Sequence, residues 1–240
     1  MSSGRERLYA WDDKSMQWYC NAVEYRSFHR EVADYMLEDL PKNPTVCDVG
    51  CGIGALTLQL AGRCRHITAL DLNAKPTAYL RRLAAERGLK DIDVITGDFL
   101  QMEAPAEKYD GLVLCLAGGV ERFLSAASAW SDTLFFVENA TNHRSFSSVG
   151  RQTKEMYYNE DLKLLQSMGI RHSYRFFNAP FGQVFTDRAD AEAFMHHYNK
   201  GESEASIQAA LEARLQPLNH PKYKLFMPNE KPLLMITIRL

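Results

Sequence analysis

Residues 45–58, which read T-V-C-D-V-G-C-G-I-G-A-L-T-L, constrain the fold of this chain more than any other stretch. Val46, Cys47 and Val49 are small or β-branched, as a buried parallel strand requires. Three glycines follow at once, and an apolar run that predicts a helix opens at Ala55. Glycine allows the backbone to turn sharply and to approach a ligand closely, while the first N–H groups of the helix point at that ligand. This stretch therefore predicts a strand, a tight turn and a helix that together bind a nucleotide-like ligand.

The size and charge of the chain limit the classes of protein to which it can belong. Its 240 residues suffice for one large domain with a sizeable core, or for one domain and a small cap. The formal net charge of −2 gives no overall attraction to nucleic acid or to an anionic membrane, so we expect neither as a partner. No apolar run reaches membrane-spanning length, and the first residues, M-S-S-G-R-E-R, lack the apolar core of a signal peptide. We therefore expect a cytoplasmic protein.

The five cysteines do not follow a disulfide or metal-binding pattern. Their number is odd, no C-x-x-C pair occurs, and two of them, Cys47 and Cys51, belong to the strand and turn described above. We expect all five to be reduced thiols.

Two further acidic residues follow predicted strands. Residues 66–70 read as a buried strand that ends in Asp71, 21 positions after Gly50. At this distance an acidic side chain at the tip of the second strand can accept hydrogen bonds from both ribose hydroxyls. A third apolar strand is followed by Gly97 and Asp98. Because Asp71 suits either a methyl donor or a nicotinamide cofactor, it predicts nucleoside binding without choosing between them.

The acidic residues distinguish a methyl donor from a nicotinamide cofactor, whereas the glycines fit both. The glycines and Ala55 fit the dinucleotide pattern G-x-G-x-x-G/A. Asp48, however, stands two residues before the first glycine, and the unit D-V-G-C-G-I-G resembles the first motif of the class I S-adenosylmethionine-dependent methyltransferases. Asp71 and Asp98, at the ends of the next two strands, extend that resemblance. It covers residues 45–140 and the last strand.

The resemblance implies which groups contact S-adenosylmethionine. An acid near the ammonium group of the ligand, here Asp48, is electrostatically favourable. In the family, the acid after the third strand holds the adenine amino group, and the residues past the fourth strand touch the methionine part. The residues that the resemblance assigns to the cofactor are Asp48, Gly50, Cys51, Gly52, Gly54, Asp71, Leu72, Asn73, Gly97, Asp98, Phe99, Cys115 and Leu116.

The order of the predicted elements gives an α/β fold. A C-terminal strand at residues 233–240 (L-L-M-I-T-I-R-L) fits the family that the sequence resembles, in which a seven-stranded, mostly parallel, doubly wound sheet has an antiparallel last strand. The expected divisions are an N-terminal aromatic-rich helical lid (1–44), a cofactor-binding core (45–145), and the C-terminal half of the same domain (146–240) with inserted helices (188–216). These helices could cap the site or mediate formation of a homodimer.

The acceptor is expected between the N-terminal lid and the loop after the fifth strand. The aromatic residues of the lid have no fixed apolar period, which suits rings that cover a ligand pocket, although they could equally pack the N-terminal helix on the sheet. A general base is needed only if the acceptor must lose a proton, and the candidates are His143 and Tyr19. The expected acceptor-binding residues are Trp11, Trp18, Tyr25, Asn139 and Asn142.

Two kinds of methyltransferase fit the sequence poorly. Enzymes that methylate the amino groups of nucleic-acid bases carry (N/D)-P-P-(Y/F) after the fourth strand, where this chain reads C-L-A-G. Metal-dependent O-methyltransferases place an acid and an asparagine after the fifth strand, as Glu138 and Asn139 stand here, but they also need an acid after the fourth strand. Because that acid is missing, we expect no metal.

These features predict an enzyme that moves a methyl group from S-adenosylmethionine to a small-molecule acceptor by in-line displacement without a metal. Such a reaction mainly requires that the nucleophile and the methyl carbon be held in line and away from water. Two alternatives stay open. An RNA- or protein-directed methyltransferase would use the same cofactor, whereas a nicotinamide-dependent reductase would explain Asp71 but leave Asp48 and Asp98 unexplained. The acceptor atom, whether O, N, S or C, also stays open.

Overall fold

The computed structural model describes residues 11–140, 146–148 and 158–240, which form a seven-stranded sheet with helices on both faces and a second, three-stranded sheet. The first half consists of α1 (Asp13–Tyr25), α2 (His29–Glu38), β1 (Thr45–Val49), α3 (Thr57–Leu60), β2 (His66–Asp71), α4 (Ala74–Glu86), β3 (Ile92–Thr96), β4 (Gly111–Cys115), α5 (Val120–Ala127) and β5 (Thr133–Asn139). The second half consists of α6 (Tyr158–Ser167), β6 (Arg171–Pro180), β7 (Gln183–Phe185), α7 (Arg188–Tyr198), α8 (Glu204–Arg214), β8 (Gln216–Pro217), β9 (Leu225–Met227) and β10 (Glu230–Arg239). None of the helices formed by these residues is both long enough and apolar enough to span a bilayer.

The large sheet has the strand order β3-β2-β1-β4-β5-β10-β6. β1 pairs in parallel with β2 and β4, whereas β10 runs antiparallel to both β5 and β6. This arrangement confirms the predicted seven-stranded, mostly parallel sheet with an antiparallel last strand. The strand order reverses between β1 and β4, and open α/β sheets bind their ligands at the carboxyl ends of the strands at such a point.

Alternating side chains along the strands fill two hydrophobic layers, one on each face of the large sheet. On one face, Val46 packs with Met36 of α2. On the other face, Leu112 packs with Phe123 of α5 and Leu165 of α6. Because both faces of the central strands β1 and β4 are covered, their ends and the loops that follow them are left to bind a ligand.

The small sheet is not predicted by the sequence. β9 lies between β7 and β8 and is antiparallel to both. Its strands are two or three residues long, which is too short for an alternation of apolar residues to be recognised. The sheet packs with α7 and α8, the helices predicted within 188–216, in a cluster that includes Phe194 and Leu211.

Helix α1 is attached to the small sheet and the helices α7 and α8, which together are called the second layer below. The helix begins at a capping box, in which the Asp12 carboxylate accepts a hydrogen bond from the Ser15 N–H at 2.7 Å. The Trp18 indole N–H donates to Asp190 Oδ1 of α7 at 2.9 Å, and the Gln183 side chain of β7 donates to the Trp18 carbonyl at 3.0 Å. The predicted lid is therefore fixed to α7 and β7 through the middle of its helix.

The packing of α4 requires glycine at position 54. Gly54 has a φ angle of +81°, and a Cβ atom there would lie 2.3 Å from Cδ1 of Leu80, a fully buried side chain of α4. Gly62 offers a matched comparison, because its φ angle is +74° but nothing lies within 4 Å of a Cβ atom at that position.

We predict that Gly54→Ala lowers the free energy of unfolding by about 3 kcal/mol, and Gly62→Ala by about 1 kcal/mol, since only the first adds overpacking to a left-handed backbone. Urea unfolding followed by circular dichroism measures both. Combining Gly54→Ala with Leu80→Ala should cost less than the sum of the two single changes, because the clash is then removed. Equal costs at positions 54 and 62 would contradict this packing.

Candidate cofactor site and acceptor site

The glycine turn after β1 meets the turn that follows β4. Gly50 has a φ angle of +75°, and a Cβ atom there would lie 2.3 Å from Cβ of Ala117. The Leu70 carbonyl accepts a hydrogen bond from the Gly50 N–H at 2.7 Å, which holds the turn against the end of β2. At Gly52, with a φ angle of +54°, a Cβ atom would lie 3.3 Å from the Trp11 ring. The glycine turn is therefore bordered by two strand ends and by the start of the lid.

Asp71, the last residue of β2, ties this turn to the next element. One of its carboxylate oxygens accepts a hydrogen bond from the Gly52 N–H at 2.8 Å, and the other accepts from the Asn73 N–H at 2.8 Å. Asn73 caps α4, since its side chain accepts from the Lys75 N–H at 3.1 Å. Leu72 is 45% exposed. A carboxylate has about four acceptor positions, so both Asp71 oxygens can accept further hydrogen bonds from a ligand.

Asp48 lies in β1 and is only 1% exposed. Its Oδ2 accepts a hydrogen bond from the Thr57 hydroxyl at 2.6 Å. Burial, together with the negative charge of Asp71, raises the pKa of Asp48 to about 6, although the hydrogen bond from Thr57 opposes this shift. Among residues 11–140, 146–148 and 158–240, no basic side chain forms an ion pair with Asp48 or Asp71. The two carboxylates repel each other, and no described cation offsets their charge. Their combined negative charge favours binding of a positively charged ligand and disfavours binding of a pyrophosphate.

Asp98 stands at the tip of β3, on the same edge of the sheet. The Gly97 N–H donates to the Asp71 carbonyl at 3.0 Å, which joins the ends of β2 and β3. Asp98 is exposed, and its Oδ1 accepts a hydrogen bond from the Leu100 N–H at 3.0 Å. The Phe99 ring is buried in the core, so this residue can offer a ligand only its backbone.

The turn after β4 has a strained backbone. Leu116 has a φ angle of +58°, which residues other than glycine seldom adopt, and its N–H donates to the Val137 carbonyl at 2.8 Å. Strain of this kind concentrates at functional sites. Burial, together with the negative charge of Asp48, raises the pKa of Cys115 to about 12. Burial also raises the pKa of the Cys51 thiol, so both thiols stay protonated at neutral pH.

Trp11 and Tyr19 bring the lid to the glycine turn. Their rings meet edge to face with centroids 5.4 Å apart. The Tyr19 hydroxyl lies 3.2 Å from Nε2 of His29, and the Ser27 hydroxyl lies 2.9 Å from Nδ1 of the same ring. Burial lowers the pKa of His29 to about 3, so this imidazole is neutral and fixes the orientation of the Tyr19 hydroxyl.

Trp18 and Tyr25 lie elsewhere. Trp18 is 2% exposed and packs edge to face on Phe194 of α7, with ring centroids 5.2 Å apart. The Tyr25 ring lies 5.3 Å from the ring of Phe226 in β9. Both rings hold α1 on the second layer, and the structure does not bring them to the glycine turn.

The loop after β5 is described only in part. Asn139, the last residue of β5, is exposed and pairs with Leu233 of β10. Asn142 and His143 lie outside the described residues, so the roles expected for them stay predictions.

Glu138 forms a pair of acids with Asp161 of α6. The two side chains share a hydrogen bond, and burial together with the charge of Asp161 raises the pKa of Glu138 to about 8. A Cβ atom at Gly119 would lie 3.4 Å from Glu138 Oε1 and 3.5 Å from Asp161 Oδ2, which places the pair at the start of α5. Within the described ranges, no group of three or more His, Cys, Asp or Glu side chains is arranged to hold a metal ion.

Three residues of this region are not predicted by the sequence: Thr57, Asp161 and Lys231. Thr57 and Asp161 follow their acidic partners by many positions and reach them only through the fold. The Lys231 ammonium lies 5.5 Å from the ring centroid of Phe181 and 5.6 Å from that of Phe28. A lysine near the start of a strand is common and gives no functional indication by itself. Only the insertion of β10 between β5 and β6 brings Lys231 to the carboxyl edge of the sheet.

Comparisons with known proteins identify a domain within this chain. Residues 46–129 match a family described as a methyltransferase domain. The (S)-tetrahydroprotoberberine N-methyltransferase of Eschscholzia californica is 28% identical over 111 residues, which are 43% of this chain and 31% of that protein. The ribosomal RNA small subunit methyltransferase G of Neisseria gonorrhoeae is 33% identical over 106 residues, which are 40% of this chain and 51% of that protein. The matched segments thus span about half of these relatives or less.

A solved structure shows the same fold. The crystal structure of the YcgJ protein from Bacillus subtilis superposes with a TM-score of 0.54 and 12% sequence identity. The superposition covers 88% of this chain and 99% of that one. At this level of identity the likeness concerns the fold alone.

The acid pair predicts how stability depends on pH. The pKa of Glu138 is raised from an ordinary value of 4.5 to about 8, so the folded protein holds this proton more tightly than the unfolded chain. The stability that results is complete at acidic pH and is lost as the pH rises toward about 8. Because the carboxyl is only partly buried, we expect the loss to be about 1–2 kcal/mol.

Glu138→Gln should remove this loss, since the amide can donate to Asp161 without carrying a charge. Urea unfolding at several pH values between about 5 and 9 measures the effect. Glu107→Gln, which changes an exposed glutamate, is the matched control and should follow the pH profile of the unaltered protein. Above the pKa of Asp48, which is about 6, a Glu138→Gln profile that falls as steeply as that of the unaltered protein would show that other groups cause the dependence.

Proposed function

We propose that this chain, whose residues 46–129 match a methyltransferase domain, is a class I S-adenosylmethionine-dependent methyltransferase that transfers the methyl group to a small-molecule acceptor. The transfer is an in-line displacement that uses no metal. The matched segments cover only part of the relatives, so the activity of the whole chain is inferred from the site.

The pair of carboxylates at Asp48 and Asp71 carries this proposal. S-adenosylmethionine has a positively charged sulfonium and an ammonium group, which would relieve the repulsion between the two acids. A nicotinamide dinucleotide brings a pyrophosphate, whose negative charges would add to that repulsion. The charge of the site therefore supports the methyl donor over the nicotinamide cofactor.

The residues around the glycine turn have distinct roles in the proposed complex. Asp71 would accept hydrogen bonds from the ribose hydroxyls, and Asp98 from the adenine amino group. Asp48 is too deeply buried to bind the ligand directly, so it contributes its charge. Bound S-adenosylmethionine supplies the activated methyl group. Trp11 covers the turn and would keep water away from the reacting atoms.

The acceptor side involves the lid. Tyr19 would orient the acceptor, because His29 fixes its hydroxyl. His143 is proposed as the general base for an acceptor that must lose a proton. The rings that border the turn limit access to it, which supports a small acceptor. A relative whose name gives tetrahydroprotoberberine as its substrate supports the same class, whereas a relative that acts on ribosomal RNA keeps the RNA-directed alternative open.

We predict that isothermal titration calorimetry will detect binding of S-adenosylmethionine and S-adenosylhomocysteine but not of NADH. Asp71→Asn should weaken binding of S-adenosylmethionine by about 10- to 100-fold, since it removes a charged acceptor. The matched control is Asp91→Asn, an exposed acid at the other end of β3, which should bind like the unaltered protein.

The opposite pattern, with binding of NADH and none of S-adenosylmethionine, would overturn the proposed function. Thermal unfolding of both variants verifies that they fold. Fluorescence anisotropy with a ribosomal RNA fragment tests the acceptor class, because tight binding at physiological salt would favour the RNA-directed alternative.

The raised pKa of Asp48, about 6, predicts that cofactor binding depends on pH. A cationic ligand favours the ionised carboxylate, so binding should lower this pKa and release protons near pH 6. The affinity for S-adenosylmethionine should therefore rise between about pH 5 and pH 7. Calorimetry in two buffers of different ionisation enthalpy measures the protons released. Asp48→Asn should abolish the release, and uptake of protons by the unaltered protein would contradict the prediction.

A further inference from the structure

Lys231 is a cation that the proposed methyl transfer does not use. It is the second residue of β10, pairs with Ala179 of β6, and is partly buried at the carboxyl edge of the large sheet. Its side chain extends to the sheet face that is covered by α2, where its ammonium contacts the faces of the Phe28 and Phe181 rings. These rings offer only a weak, non-directional attraction.

Among the described residues, no carboxylate neutralises this ammonium. In the part of the chain that the structure describes, no acidic side chain forms an ion pair with Lys231. The titratable groups that sense its charge are the neutral imidazole of His29 and the protonated thiol of Cys115. Burial lowers the pKa of Lys231 to about 8, so most of it remains protonated at neutral pH. A desolvated charge without a partner is costly, and an incoming anion would remove that cost.

Ring contacts join Lys231 to the proposed site of methyl transfer. The Phe181 ring, which lies 5.5 Å from the ammonium, also lies 5.7 Å from the Tyr19 ring. Tyr19 in turn contacts Trp11, which lies against the glycine turn. Burial raises the pKa of Cys115, the last residue of β4, and the positive charge of Lys231 opposes this shift. The strained turn that follows β4 lies at the same edge of the sheet. The lysine therefore lies on the acceptor side of the site, next to the lid.

We infer that Lys231 binds a carboxylate group of the acceptor, while the Trp11 and Tyr19 rings contact its planar apolar part. This inference rests on the proposed function, because it assigns a substrate class to the same site. Aromatic rings alone would suit a cationic acceptor through cation–π attraction. The ammonium among these rings reverses that preference, since it repels an amine and attracts an acid. The acceptor class is thus a small planar carboxylic acid.

Three ring compounds of matched size test the charge preference. The probes are 4-hydroxyphenylacetate, 4-hydroxyphenylacetamide and tyramine, which differ in carrying a carboxylate, a neutral amide or an ammonium. Their dissociation constants are measured by saturation-transfer NMR and calorimetry, both with saturating S-adenosylhomocysteine and without it. We expect the carboxylate to bind about tenfold or more tightly than the amide, and tyramine to bind most weakly.

Lysine variants assign this preference to position 231. Lys231→Met should bind the carboxylate and the amide equally, whereas Lys231→Arg should keep the preference. Lys224→Met, which removes an exposed lysine near β9, is the matched control and should behave like the unaltered protein. The affinity for S-adenosylhomocysteine should be the same in all of these proteins, because Lys231 is assigned to the acceptor and not to the cofactor.

The outcomes separate this inference from the proposed function. Failure to bind S-adenosylmethionine or S-adenosylhomocysteine overturns the proposed function, while the probes without cofactor still measure the charge preference. Binding of the cofactor with no preference for the carboxylate, including binding of none of the probes, overturns the inference. A carboxylate preference that survives in Lys231→Met also overturns it. Tighter binding of tyramine would assign the site to amines instead.

Discussion

The hydrogen bonds of the Asp71 carboxylate hold the glycine turn to the end of β2, and the rest of the proposed cofactor site depends on that connection. The turn also lies close to the end of β4, because Gly50 has no Cβ atom that would collide with Ala117. Asp48 is buried in the strand that leads into this turn, so its charge adds to that of Asp71. The fold thus concentrates negative charge where three strand ends meet. A cationic ligand stabilises such an arrangement more than water can.

The lid has two roles, since α1 attaches it to the second layer while Trp11, just before this helix, lies against the glycine turn. Trp18 and Tyr25 fix α1 to the second layer, and this attachment leaves Trp11 and Tyr19 on the side of the glycine turn. The second layer, with its short sheet and two helices, therefore contributes to the proposed site by holding α1. Its physical role is to hold α1 at a fixed distance from the strand ends.

The charges of the two halves of the site have opposite signs. The carboxylates of Asp48 and Asp71 lie next to the glycine turn, whereas the ammonium of Lys231, which forms no ion pair with any described residue, lies in β10 on the lid side. A donor that carries positive charge and an acceptor that carries negative charge would each be drawn to its own half. Transfer of the methyl group converts the sulfonium into a neutral thioether, so the attraction of the acidic half for the spent donor would fall. The same distribution of charge would thereby favour both assembly of the reactants and release of the products.

The sequence by itself determined the sheet and the edge at which Asp71 and Asp98 lie, because these depend on local patterns. Buried strands, positive-φ glycines and acids directly after strands are separated by only a few residues, and a parallel sheet then brings successive strand ends to one edge. The short strands of the second sheet were not predictable, since two or three residues show no periodicity. The sequence also could not predict which aromatic residues of the lid pack in the core and which lie against the glycine turn. Trp11 and Trp18 are the same residue type in the same segment, and only the tertiary structure gives them different surroundings. Tertiary structure alone decided the Asp48–Thr57 hydrogen bond, the Glu138–Asp161 pair and the position of Lys231, since each joins groups whose proximity depends on how distant segments pack.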